Sequence, residues 1–225
     1  MSTKKKKKTI PRIEGDKKFR ALLKGFFWLV GRIFYRFSFA GIENVPPEGA
    51  FILAANHTSI VDIIAIHTKL KRWLHWVAKK ELFDAPVVGF VMPRMGAIPV
   101  DRDRVDLTAA RGIFSILQAG RPVAMFPQGT RLKQEDINRV PPKSGIAHFA
   151  VKTNALILPV AIEGRFRLFR KTKIIIGEPF RLDADIRKKY NQQELLEMTV
   201  EVMSRIYALT SFEYKPEYNV TVERE

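Results

Sequence analysis

Gly49-Ala50-Phe51-Ile52-Leu53-Ala54-Ala55-Asn56-His57-Thr58-Ser59-Ile60-Val61-Asp62 decides the fold. Its first half is a short apolar run, the pattern of a buried strand. Thr58 and Ser59 can cap a helix, which is expected to start at Ile60 and run to Leu70. His57 then stands where a strand ends and a helix begins, with Asp62 in the first turn or two. Two side chains five apart on one helix diverge by about 140°. His57 therefore meets Asp62 only by preceding the helix and turning back toward it. A carboxylate on one imidazole nitrogen fixes the tautomer and leaves the other nitrogen as a base. Taken alone, the spacing favours a plainer reading, a capped helix start carrying a hydrogen-bonded histidine.

A second stretch shifts that balance. Phe126-Pro127-Gln128-Gly129-Thr130-Arg131 also follows a strand-like run, Pro122-Val123-Ala124-Met125. Gly129 permits a tight turn and close backbone approach. Thr130 offers a hydroxyl and Arg131 a forked cation, a pair suited to a phosphate. Between and after these stretches, strand-like and helix-like runs alternate, which predicts an α/β fold with a mixed central sheet flanked by helices. Strands are expected at Leu74–Ala78, Gly96–Val100, Ile157–Ile162 and Lys173–Ile176, and helices at Val87–Met95, Leu107–Gln118 and Ser144–Thr153. Asn191 and Glu194 have capping-box spacing for a last helix, Gln192 to Leu209. Leu132 to Pro142 reads as a polar, mobile loop beside the site.

These stretches resemble the motifs of the glycerolipid acyltransferases, most closely the bacterial 1-acylglycerol-3-phosphate acyltransferases. Asn56, His57 and Asp62 match the first motif, N-H-x4-D. Gly96, Ile98, Val100 and Arg102 match the second; Phe126, Pro127, Gly129, Thr130 and Arg131 match the third, F-P-E-G-T-R. Ile157-Leu158-Pro159-Val160-Ala161 matches the apolar fourth, and the likeness covers roughly residues 40 to 180, in the family's order. Gln128 stands where the family has a glutamate, keeping the size and losing the charge. On that reading a Gln128→Glu exchange is expected to raise turnover or leave it unchanged.

The resemblance implies transfer of a fatty acyl group from acyl-CoA or acyl-carrier protein to the hydroxyl of lysophosphatidic acid, giving phosphatidic acid. His57 would be the general base and Asp62 its orienting partner. Arg102, Gln128, Gly129, Thr130 and Arg131 would hold the acceptor. Lys79, after an apolar run, and Lys143, before a helix start, are further candidates for its phosphate. Backbone amides near Gly129 or the Asn56 region are candidate oxyanion donors. The substrate oxygen is the nucleophile, so no acyl-enzyme is required, and neither a cysteine nor a G-x-S-x-G elbow is present. His67, His75 and His148 read as packed or surface histidines, no set of residues has metal-ligand spacing, and neither metal nor cofactor is expected.

The 225 residues carry a net charge of +16, a balance that suits a polyanionic partner. Residues 1–15 contain five consecutive lysines, Lys4 to Lys8, and read as a basic disordered tail. Residues 16–39 place Phe19, Leu22, Leu23, Phe26, Phe27 and Val30 at helical spacing among lysines and arginines. The uncharged run is far short of the ~20 residues a membrane-spanning helix needs. The segment is read as amphipathic helices, with a break near Gly25 or Gly31, anchoring the protein on an anionic phospholipid surface. The expected location is a peripheral or monotopic site on the cytoplasmic face of a membrane. Residues 40–48 form the expected junction, and 40–225 the α/β domain. Two other readings stay open: an acyltransferase with another acceptor (a different lysophospholipid, an ornithine-lipid or a lipid A precursor), and a lipid-binding homologue impaired in catalysis. Nucleic-acid binding has no motif behind it, and oligomeric state is not legible.

Overall fold

The structure is a computed structural model that describes residues 16–218 except 103 and 165. The basic tail expected over residues 1–15 lies outside the described residues. Among the described residues, seven strands form one sheet: β1 (Arg36–Ala40), β2 (Phe51–Ala55), β3 (His75–Lys79), β4 (Ile98–Val100), β5 (Val123–Met125), β6 (Leu156–Glu163) and β7 (Lys171–Ile176). Their order is β1-β7-β6-β2-β5-β3-β4. Neighbours run parallel except β6 and β7, so the sheet is mixed, as the alternating pattern predicts.

Six α-helices among the described residues cover it: α1 (Lys17–Phe34), α2 (Val61–Lys69), α3 (Pro86–Met95), α4 (Leu107–Gln118), α5 (Gly145–Thr153) and α6 (Gln192–Tyr207). β2 shows why two layers of helices are needed. Ile52 and Ala54 pack with Ile113 of α4, Ile146 of α5 and Ile206 of α6. Phe51, Leu53 and Ala55 face the other way, onto Phe27 of α1, Ile66 of α2 and Met95 of α3. A strand apolar on both faces is stable only in such a sandwich, where each buried large side chain contributes about 1.5–3 kcal/mol. The capping box at Asn191 and Glu194 forms as its spacing predicts.

Two expectations for the N-terminal segment are corrected. α1 is one unbroken helix, opened by the Asp16 carboxylate on the amides of Lys18 and Phe19. Gly31 is a packing residue rather than a break, since a Cβ there would lie 2.9 Å from the Phe37 ring. The helical reading also runs too far. Arg36–Ala40 is an edge strand paired with β7, so the chain enters the sheet before the expected junction at residues 40–48.

Candidate active site

β2, β5, β3 and β4 run parallel and adjacent, so their carboxyl ends share one edge of the sheet. Such an edge is where open α/β sheets collect ligands. His57 follows β2, the Phe126–Arg131 loop follows β5, Lys79 ends β3, and Arg102 follows β4.

The His57 imidazole does turn back toward the helix. Its Nδ1 lies 2.7 Å from Asp62 Oδ2, and Asp62 is fully buried. The same carboxylate accepts from the amides of Thr58 at 2.7 Å and Ser59 at 3.0 Å, and from the Thr58 hydroxyl at 3.0 Å. It is therefore clamped by the start of its own helix before it meets the histidine. With Nδ1–H donating to Asp62, Nε2 carries the free lone pair. The ring also lies flat on Phe126, with centroids 3.8 Å apart and planes 11° apart. Phe126 in turn stacks on Trp76 at 5.0 Å, and Trp76 Nε1 donates to buried His67 at 2.9 Å. Burial, aided by Lys24, Arg20 and His75, pulls the His67 pKa down to about 3, so that ring is a neutral acceptor in the core.

The cations gather beside this column. Arg102 donates to the carbonyl of Gly129. The Gly129 φ is +69°, a conformation glycine takes without strain, and a Cβ there would lie 3.9 Å from the Lys143 stem and 4.0 Å from the Arg102 guanidinium. Partial burial lowers the Arg102 pKa, with Glu81 opposing, and the group remains a cation at neutral pH. Lys143 is tied to the same loop by its amide, which donates to Pro127 O at 2.8 Å. Lys79 lies at the neighbouring strand end, half exposed and 3.8 Å from Glu81. Thr130 and Arg131 stand exposed on the loop. The imidazole and the cations are joined mechanically, because the amide of Leu132, next after Arg131, donates to His57 O at 3.1 Å.

Gln128 does not belong to this mouth. It is buried, and its Nε2 donates to the carbonyls of Ile137 at 3.1 Å and Val140 at 3.0 Å. Its Oε1 accepts from the Tyr207 hydroxyl at 3.4 Å. The side chain thus ties the 132–142 loop and α6 beneath the Gly129 turn. A glutamate there would offer acceptors to two carbonyls, so an acceptor-binding role for residue 128 is replaced by a structural one. The loop is correspondingly pinned rather than loose, with Ile137 buried in the core.

One group in each region suggested for the oxyanion is already engaged. Gly129 N–H closes its own turn onto Phe126 O at 2.9 Å. The Asn56 amide makes two bonds with the backbone of Ile162, at 3.0 and 2.7 Å, adding a rung between β2 and β6. A cleft of about 460 Å³ is lined by Asn56, Thr58 and Ser59 together with Leu132 and Phe212; His57 is not part of its wall. Sequence reasoning also missed Asp101. It is buried, and bridges Lys80 and Arg104 at 2.6 Å each, which sets the turn that presents Arg102.

The model of the Acyltransferase family matches residues 36–163, a span that opens with β1, closes with β6 and holds the whole of this edge. The chain belongs to the acyltransferase family. It is 32% identical over 173 residues to a 1-acyl-sn-glycerol-3-phosphate acyltransferase of Bacillus subtilis, covering 74% of this chain and 84% of that one. A Borreliella burgdorferi protein of the same name is 32% identical over 158 residues, 69% of this chain and 61% of its own. The crystal structure of the 1-acyl-sn-glycerophosphate acyltransferase PlsC from Thermotoga maritima superimposes with a TM-score of 0.60 at 25% identity, over 88% of this acyltransferase and 84% of that chain.

Proposed function

We propose that this acyltransferase moves a fatty acyl group from an acyl thioester, carried on CoA or acyl-carrier protein, to the sn-2 hydroxyl of 1-acylglycerol-3-phosphate, forming phosphatidic acid. The observation that carries the reading is the 2.7 Å bond between His57 Nδ1 and Asp62, which leaves Nε2 as a base on the same sheet edge as Arg102, Gly129 and Lys143. The names of the relatives support the acceptor.

His57 Nε2 takes the proton of the acceptor hydroxyl as its oxygen attacks the thioester carbonyl. The tetrahedral adduct collapses, the carbon–sulfur bond breaks, and the thiolate leaves with the proton from the imidazolium. Asp62 holds the ring in the productive tautomer and stabilises its charged form in transit. Arg102, Lys143 and Arg131 hold the phosphate, with Lys79 at the rim. General-base catalysis of this kind supplies about 10²–10⁴-fold. Because Gln128 faces the core, the loss of charge there does not favour another acceptor.

Among the described residues no helix is long and apolar enough to cross a membrane. α1 supports attachment from one side instead. It turns Arg20 and Lys24 inward, Arg20 over the Trp73 ring and Lys24 onto Leu70 O at 2.8 Å, and leaves Leu22, Phe26, Leu29 and Ile33 exposed as a stripe. A stripe of that kind, with Lys17, Lys18 and Arg32 near it, suits the interface of an anionic bilayer, and the cytoplasmic leaflet carries such charge.

The test is an acyl-transfer assay with a panel of lysolipids and both donors, run beside His57→Ala. Lysophosphatidic acid should be the preferred acceptor and the variant should lose at least ~10²-fold in turnover while remaining folded. Preference for an acceptor without a phosphomonoester, or undiminished turnover of His57→Ala, sinks the reading.

A further inference from the structure

The connection between β6 and β7 reads Gly164-Arg165-Phe166-Arg167-Leu168-Phe169-Arg170, with Lys171 opening β7. Links between antiparallel strands are ordinarily polar, built from Gly, Asn, Asp and Ser. Here Leu168 and Phe169 stand 58% and 64% exposed at the tip. Phe169 has φ +62°, the left-handed region that a bulky side chain rarely occupies. Strain held in place to keep an aromatic ring in solvent is a pointer to function.

The tip is fastened to α1. Phe169 N–H donates to the carbonyl of Phe34, the last residue of that helix, at 2.9 Å. The exposed stripe of α1 ends at Ile33, so the two apolar surfaces adjoin. Arg167, Arg170 and Lys171 are exposed and make no ion pair among the described residues. An open cleft of about 310 Å³ at the same end of α1 is lined by Trp28 and Tyr35 together with Arg32, Arg36 and Lys69. Aromatic rings interleaved with cations suit the boundary of an anionic bilayer, rings at the acyl border and cations on phosphates.

We propose that Leu168 and Phe169 are a second membrane-inserting element, seating the carboxyl end of α1 on an anionic phospholipid surface while Arg167, Arg170 and Lys171 take the phosphates. The proposal rests on the reading that α1 lies on a bilayer. A single helix in an interface can roll about its own axis. A second contact at one end stops the roll and fixes how the sheet hangs from the membrane. An acidic carrier protein is the other macromolecule a basic turn could meet. The bilayer is favoured because the side chains between the cations are apolar and continuous with α1.

The full chain is tested by co-sedimentation with phosphatidylcholine vesicles, with and without phosphatidylglycerol. Glycine adopts a positive φ freely, so Phe169→Gly should keep or raise the melting temperature. The same variant should bind phosphatidylglycerol vesicles roughly threefold to tenfold more weakly, because a partly covered ring gains only part of the transfer free energy of a buried one. Arg167→Glu with Arg170→Glu should lower the preference for phosphatidylglycerol several-fold and leave binding to neutral vesicles nearly unchanged. Native-like vesicle binding by Phe169→Gly, or a lowered melting temperature showing that the ring serves packing, overturns the proposal and leaves the α1 reading intact. So does unchanged vesicle binding with a selective loss of acyl-carrier protein as donor, which would mark the turn as a carrier dock. Failure of the native chain to bind either vesicle, while still acylating a water-soluble short-chain acceptor, removes the α1 reading and this proposal with it.

Discussion

The rings of His57 and Phe126 lie 3.8 Å apart and nearly parallel, so the imidazole of one strand end is seated on the aromatic ring of the next. Asp62 fixes one edge of the imidazole, and Phe126 fixes its plane. Phe126→Leu removes the flat support while keeping most of the apolar volume. The expected result is a fall in kcat of roughly tenfold with KM for the acceptor little changed, since orientation of the base is lost and the cations are not. A variant that raises KM at unchanged kcat would place Phe126 in acceptor binding instead.

Asp62→Asn tests the tautomer. An amide can present its nitrogen to His57 and turn the ring nitrogen roles around, and it also loses the charge that stabilises the imidazolium. Turnover should fall by ~10²-fold or more. Because Asp62 also accepts from Thr58 and Ser59, the variant should lose about 1–3 kcal/mol of stability as well. Chemical denaturation run beside kinetics separates the two; a stable variant of full activity would contradict the dyad.

Gln128→Glu is expected to damage the protein, the reverse of what charge restoration alone suggests. A carboxylate facing the buried carbonyl of Ile137 and the partly buried one of Val140 takes the side-chain donor from both, at a cost of about 1–3 kcal/mol. Only the protonated acid can donate there, so the folded state raises the pKa of the new side chain. The penalty relative to the native chain should therefore be largest at neutral pH and shrink as pH falls toward the ordinary glutamate value of ~4.3. Denaturant midpoints of both proteins at pH 5 and pH 8 give the answer, and a variant as stable as the native chain at pH 8 would show that the strap does not matter.

His67 sets a second pH dependence. Its pKa falls from about 6.5 unfolded to about 3 folded. The unfolded chain binds the proton first, so stability is full above the unfolded value and declines as pH drops below it. Between pH 6 and pH 5 the slope from this group approaches ~1.4 kcal/mol per pH unit. His148, lowered by partial burial and by Lys152, acts in the same sense. His67→Gln keeps an acceptor for Trp76 Nε1 and cannot take up the proton, so its stability curve should be flatter over that interval than the native one. Parallel curves would refute the assignment.

The central sandwich was legible because strands buried on both faces are apolar throughout, and α4 and α6 among the helices open on their own side-chain caps, Asp106 and Asn191. The His57–Asp62 pair was legible from spacing, since strand-end geometry makes five residues a bonding distance. β1 was not. Arg36-Phe37-Ser38-Phe39 continues the basic and aromatic texture of α1, and its partner strand begins only at Lys171, so no local signal marks it. The direction of Gln128 was equally hidden: composition shows that a charge is missing, but only the carbonyls of Ile137 and Val140 show that an amide nitrogen is wanted. The Asp101 bridge depends on Lys80 from another strand end and has no sequence signature of its own.

The edge pairing of β1 with β7 has a consequence for biosynthesis. During translation α1 and β1 leave the ribosome early, and β1 has no rung to join until β7 emerges. For most of that interval the oily flank of α1 has no finished body behind it, and the nearest surface able to receive it is a lipid one. Growing chains halted before residue 171 should therefore pellet with membranes and lose their first forty residues to protease more readily than chains released after β7 is complete.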